Sequence, residues 1–265
     1  FFQYLAFISP HFPLHALQED VDKYRDRYKA GWDVVRAERV ARRKKLGFPD
    51  NTLSEPEQHI IAPSGKPTRM DILGSGEIDH AVPWNQLTDE QKEFQATKMA
   101  VHAAMVDRTD QEIGRVLDQI KAMGQLDNTV VFFFSDNGAS AEILVRGDGH
   151  NPDAPPGSAA SYLCLGPGWS TVANTPMRRH KIWTHEGGCS TPLIVHWPKG
   201  INVRGAFRHN TGHVVDFAPT LLGLAGAKPM PGDACGPGAP PFPGRSLVPT
   251  FKKDGSVDHE FIYFD

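Results

Sequence analysis

The chain has 265 residues, 40% hydrophobic and 22% charged, enough for one large domain or for one domain with a small appendage, and far from the composition of a disordered chain. Its 28 Lys and Arg against 31 Asp and Glu leave a net charge of −3, without the basic excess of a nucleic-acid-binding face. No apolar run approaches the ~18–20 residues needed to span a bilayer. The three cysteines, Cys164, Cys189 and Cys235, cannot all pair with one another, and none has C-x-x-C spacing, so neither a disulfide scaffold nor a structural zinc site is expected.

In chain order, Phe1–Ile8 is an aromatic and aliphatic run that reads as a buried β-strand, and a strand at residue 1 implies an internal piece of a longer protein. Ser9-Pro-His-Phe-Pro13 then breaks regular structure. From Glu19 to about Leu46 the spaced apolar positions (Val21, Tyr24, Tyr28, Trp32, Val35, Val40) predict one or two amphipathic helices bent near Gly31. Residues 47–87 are punctuated by Pro and Gly and read as a surface excursion. Thr88-Asp-Glu-Gln91 is a capping box, opening a helix expected to reach Met123 with Gly124 at its end. Thr129–Phe134 is continuously apolar, the pattern of a strand buried on both faces of a parallel sheet. The stretch 147–179 reads as a Gly- and Pro-rich loop. Pro192–Trp197 is a second strand, Val214–Ala225 a short helix, and 226–249 a loop. The alternation predicts an α/β fold, a mixed and mostly parallel sheet sandwiched by helices.

In such folds ligands bind beyond the carboxyl ends of strands, where two places qualify: His11 and the pair Asp136-Asn137. One carboxylate and one amide oxygen suit Ca²⁺ or Mg²⁺ better than zinc, although Asp-Asn-Gly is equally a common turn. His11, between two prolines, reads either as a loop histidine or as a catalytic one. Lys181 and the helix-borne Arg42-Arg43-Lys44-Lys45 read by default as solvated charge. Asp148, His150 and Asp153 share a loop but lack a regular ligand spacing.

Taken in order, these segments resemble one family, the type I sulfatases, the arylsulfatase-like branch of the alkaline phosphatase superfamily. The matching residues are Ser9-Pro-His-Phe-Pro-Leu-His15, Val130–Phe134 with Ser135-Asp-Asn-Gly138, Asn174-Thr-Pro-Met-Arg-Arg-His-Lys181, Thr184-His-Glu-Gly-Gly188, Thr191-Pro-Leu-Ile-Val-His-Trp-Pro198 and His213–Leu222. The resemblance implies one Ca²⁺ ion held in part by Asp136 and Asn137, with His11 and Lys181 contacting the sulfate group. It gives Glu186-Gly-Gly188 and Asp216 a supporting role in the fold. It further implies a sulfated small molecule or glycan as substrate and an extracytoplasmic location. Zinc-dependent phosphatases and phosphodiesterases of this fold usually carry His after the equivalent Asp, so Asn137 favours the sulfatase branch over a phosphoryl-transfer relative.

The family's formylglycine nucleophile is made from a C/S-x-P-x-R motif. Cys164-Leu-Gly-Pro, Cys189-Ser-Thr-Pro and Cys235-Gly-Pro-Gly do not fit it, and the early Asp-Asp metal pair has no counterpart. Residues 1–250 therefore read as the second half of a sulfatase catalytic domain, and 251–265, with the strand-like Glu260–Phe264, as the start of a small C-terminal subdomain. Alone, the 265 residues are expected to be inactive. The alternatives are the phosphoryl-transfer relative and a truncated, non-catalytic module that binds sulfated glycans.

Overall fold

A computed structural model describes residues 1–50, 52–62, 70–147, 149–227 and 243–262. The chain forms two compact units, one built from residues 1–122 and 137–192, the other from 123–136 and 193–265.

The first unit is helical. Helix α1 (Gln18–Asp22) and helix α2 (Trp32–Lys45) are separated by the turns of residues 23–31, and Gly31, with φ 85°, is the residue that precedes α2. Only glycine serves here, because a Cβ would lie 2.3 Å from the Trp84 ring and the φ is left-handed. Of the one or two helices expected, bent near Gly31, two form, but the first stops at Asp22 and the interruption spans residues 23–31 rather than a bend at Gly31 alone. The basic end of α2 also keeps its plain reading: Lys44 pairs with Asp50 at 2.9 Å, and Arg43 lies 4.6 Å from the Phe48 ring centroid.

Helix α4 (Asp89–Ala122), which follows the short α3 (Met70–Leu73), is the spine of this unit. Its capping box forms as read: Gln91 N–H donates to Thr88 Oγ1 at 3.2 Å, and Thr88 N–H donates to Gln91 Oε1 at 2.9 Å. Ala96, Ala100 and Ala104 recur every four residues and are all buried, which lets neighbouring segments approach closely. The core of the unit packs Leu14, Val21, Leu73, Ile143 and Leu163 against Val101 and Ala104. A second cluster joins Trp32, Trp84 and Trp169 edge to face, with the Trp169 indole N–H donating to Gln95 O at 2.7 Å.

Three expectations need correction here. Residues 1–8 form no strand and are all exposed, Leu5 and Phe7 least so among their large apolar side chains; among the described residues no strand stands beside them to supply a ladder. Residues 47–87 are not only a surface excursion, since Ala62, Leu73, Glu77, Ile78, Ala81 and Leu87 are buried. Residues 147–179 contain helix α5 (Gly166–Asn174), and every residue from 161 to 170 is buried. Pro167 at its first turn and the glycines around it disguise the helix as loop, although Pro is well tolerated at that position. Helix α6 (Glu186–Cys189) closes the unit.

The second unit holds the sheet. Strand β1 (Val131–Phe134) pairs with β2 (Leu193–His196), Val131 opposite His196 and Phe134 opposite Leu193. The α/β character stands, but this pair is antiparallel rather than parallel, and Phe133 is 53% exposed. A continuous apolar run reports that both faces of a strand suit burial; it does not report the direction of the neighbour. Helix α7 (Phe217–Leu224) follows a 3₁₀ turn at Val214–Asp216, and its Phe217 stacks on Phe134 with centroids 4.5 Å apart.

Asp216 is fully buried and accepts from the backbone N–H of His213 (2.8 Å) and of Arg245 (2.7 Å), and it contacts His259 Nε2 at 2.8 Å. That is the supporting role expected of it. Within the strand expected at Glu260–Phe264, residues 260–262 are irregular; the remainder, like Cys235 and Asp148, lies outside the described residues.

Candidate active site

Strand β1 ends at Phe134, and Ser135 leads to Asp136 and Asn137 two and three residues beyond it. Asp136 is exposed; Asn137, at the start of the next stretch of the first unit, is half-buried and donates its amide to Gly138 O at 3.0 Å. Gly138 then crosses α6 so closely that a Cβ would lie 1.8 Å from Gly187 O, and its N–H donates to Gly188 O at 2.9 Å. The two glycines of Glu186-Gly-Gly188 are needed for the same reason, since a Cβ on Gly187 would lie 2.2 Å from Arg178 O and one on Gly188 2.0 Å from Trp183 O, consistent with a role in the fold.

Asn174, the last residue of α5, ties this strand exit to the 178–181 loop. Its Oδ1 accepts from Ala139 N–H at 2.7 Å, and its Nδ2 donates to Ala139 O and to Arg179 O at 3.1 and 3.0 Å. Lys181 N–H donates to the same Ala139 O at 3.1 Å. On the other side, His11 is placed by Phe12, which is buried, and by Leu14, whose N–H donates to Leu163 O at 2.9 Å. The result is one contact that the sequence left 170 residues apart: Lys181 Nζ lies 3.1 Å from His11 Nε2.

The histidine's tautomer is assigned from its other ring nitrogen. His11 Nδ1 is 2.7 Å from Phe12 O, and a carbonyl only accepts, so Nδ1 carries the proton. Nε2 then offers its lone pair to the Lys181 ammonium. A proton is held between two bases at an exposed position.

For a cation, Asp136 and Asn137 supply two hard oxygen donors, and the donor chemistry fits Ca²⁺. The count is partial. A Ca²⁺ ion takes about 6–8 oxygens, and no group of three or more His, Cys, Asp or Glu able to hold a metal ion occurs among the described residues. His150 is engaged otherwise, its Nδ1 accepting from Tyr162 N–H at 2.9 Å.

Beside the site, burial depresses the His180 pKa to about 4, and its Nδ1 lies 2.9 Å from Ser170 Oγ. Burial likewise holds His102, whose Nδ1 is buried with no partner among the described residues, at about 4. Unfolded, each imidazole protonates near 6.5. Between pH ~6.5 and ~4 the unfolded chain therefore binds more protons, and stability falls as acid is added, by up to ~1.4 kcal/mol per pH unit for each imidazole. Chemical denaturation across this range is expected to show that loss, and His180→Asn is expected to flatten the profile; an unchanged slope in the variant would refute the assignment.

The family model described as Sulfatase matches residues 1–227. The chain belongs to the sulfatase family. An uncharacterized sulfatase of Schizosaccharomyces pombe is 37% identical over 258 residues, covering 94% of this chain and 42% of the relative. The arylsulfatase of Klebsiella aerogenes is 32% identical over 240 residues, covering 86% and 47%. The N-acetylgalactosamine-6-sulfatase of Mus musculus is 33% identical over 159 residues, covering 60% and 25%. This sulfatase chain thus spans less than half the length of these relatives. No helix among its described residues is long and apolar enough to cross a membrane.

The family resemblance puts His11 and Lys181 at one sulfate group; the structure adds the direct contact between the two side chains. Asn174 opens the segment that ends at Lys181, but no local signal gives its side chain the bridging role seen here, because helix α5, which it ends, is itself disguised as loop. The sequence reading also missed Glu57, which lies in a stretch with no periodicity to read.

Proposed function

We propose that the complete protein hydrolyses sulfate esters and that His11, Lys181, Asp136 and Asn137 are its contribution from these 265 residues. The observation that carries the reading is the 3.1 Å contact between Lys181 Nζ and His11 Nε2 in a chain of the sulfatase family. Cleaving a sulfate ester develops negative charge on the transferred group and on the leaving oxygen, and fixed positive groups stabilise it without reorganising. Lys181 is the donor to the sulfate oxygens. The proton held between Lys181 and His11 is the one passed to the leaving alkoxide or phenoxide. Asp136 and Asn137 are two ligands of one Ca²⁺ ion, which when bound polarises the sulfate oxygens. The remaining ligands and a formylglycine nucleophile are assigned to parts of the protein outside these residues. The family resemblance supports a sulfated small molecule or glycan as substrate, an extracytoplasmic location, and a small C-terminal subdomain beginning near residue 251.

A phosphoryl-transfer activity is the second reading, and the oxygen donor of Asn137 disfavours it, because paired zinc ions prefer imidazole at that position. The expected result is that the complete protein turns over 4-nitrophenyl sulfate faster than 4-nitrophenyl phosphate. Preference for the phosphate would select the second reading, and turnover of neither would favour a non-catalytic sulfated-glycan-binding module.

A further inference from the structure

Lys181 sits at the end of a loop whose backbone is held in two unusual places. Arg179 has φ 68° and Ile182 φ 86°, left-handed conformations that non-glycine residues rarely adopt and that persist only when the surroundings enforce them. One enforcing contact is the Asn174 side chain on Arg179 O, and another is Gly187, whose N–H donates to Arg178 O at 2.7 Å. The third comes from far away in sequence. Glu57 reaches Arg178 Nη2 at 2.7 Å through one carboxylate oxygen and Arg179 Nε at 2.8 Å through the other. The first is a well-formed hydrogen bond; the second is a charge contact off the N–H direction. Glu57 and Arg179 are 18% and 16% exposed at their side chains, so this pair is far less open to solvent screening than the chain's exposed ion pairs. Burial works against the Glu57 carboxylate, but Arg178 and Arg179 outweigh it and hold the carboxyl below its usual range, so the clamp stays charged at neutral pH.

We infer that Glu57 is a positioning residue for the proposed sulfatase site: by clamping Arg178 and Arg179 it holds the left-handed turn that aims Lys181 at His11. It touches no reacting group. A short arc links the clamp to the catalytic pair, from Glu57 to Arg179, then through His180 to Lys181, whose N–H is already fixed on Ala139 O. Losing the clamp frees Arg179 to relax out of its φ of 68° and moves the ammonium, not the fold core. The inference rests on the sulfatase reading of Lys181.

The test is a double-mutant cycle in the complete protein with an aryl sulfate. Glu57→Gln, which keeps shape and removes charge, is expected to lower kcat by about tenfold or more with a smaller change in KM, since misplacing a catalytic group by ~1 Å can cost about 10²-fold. Lys181→Ala is expected to lower kcat further. In the Lys181→Ala background Glu57→Gln is expected to have no further effect on kcat, because its route of action is gone. Glu57→Asp, which keeps the charge but withdraws it by one methylene, is expected to fall between wild type and Glu57→Gln and also to be silent without Lys181; it serves as the probe if Glu57→Gln does not fold. If the Glu57 variants leave kcat unchanged, or multiply with Lys181→Ala, Glu57 has no role through Lys181 and the inference is overturned while the sulfatase reading stands. If Lys181→Ala itself leaves turnover unchanged, the reading of the site falls and the inference falls with it.

Discussion

Replacing Asp136 with alanine is expected to abolish sulfate-ester turnover by the complete protein, by ~10³-fold or more, and to weaken Ca²⁺ binding severely. Charge is the reason. Asp136 and Asn137 leave the end of β1 as a carboxylate and an amide. An ion at this position would lose its only full negative charge from these two residues, and with it the field exerted on the sulfate. Asn137→Ala should weaken binding less, because a neutral amide attracts a divalent cation less than a carboxylate does. Calorimetric titration of Ca²⁺ into the wild type and both variants, beside aryl sulfate turnover, separates the two effects. Tight binding unchanged in Asp136→Ala would mean that the ion is held elsewhere and that Asp-Asn-Gly is only a turn.

The second large effect concerns stability. Lys98 and Glu77 are both wholly buried, with Nζ 2.7 Å from Oε1 and 2.9 Å from Oε2. Gln95 Nε2 and the N–H of Ile78 also donate to Glu77 Oε1, at 2.9 and 3.1 Å. Each charge is tolerable there only because the other is present. Lys98→Met leaves an uncompensated carboxylate in the core and is expected to cost about 3–5 kcal/mol. The double variant Lys98→Met, Glu77→Gln removes both charges and should recover most of that loss. Urea unfolding of the three proteins measures it. A cost below ~1 kcal/mol for Lys98→Met alone, or no recovery in the double variant, would show that water or another cation reaches Glu77.

This pair also marks where reading the sequence stops. Glu77 lies in the stretch 47–87, which looks like surface because Pro and Gly interrupt every periodicity, and Lys98 is a charged residue on a long amphipathic helix. Composition sends both to solvent. Only the packing of Gly166 and the α4 face around them makes them a buried pair. Helix α5 was hidden for the same reason: its first residues are Gly-Pro-Gly, and it is stable because Trp169 is buried among other tryptophans, not because its own residues favour helix.

Local chemistry was legible wherever it acts over a few residues. The capping box at Thr88-Gln91, the glycine before α2, the strands at 131–134 and 193–196, the helix after Asp216 and the family's segments could all be read without coordinates, since each is written in a few consecutive residues. So could the identity of His11, Lys181, Asp136 and Asn137 as candidates. What the tertiary structure alone decided was who meets whom: the antiparallel direction of β1 and β2, the Lys181–His11 contact across 170 residues, and the Glu57 clamp across 121. Those contacts depend on chain closure over long loops, and no local periodicity records the partner that a side chain finds after such a closure.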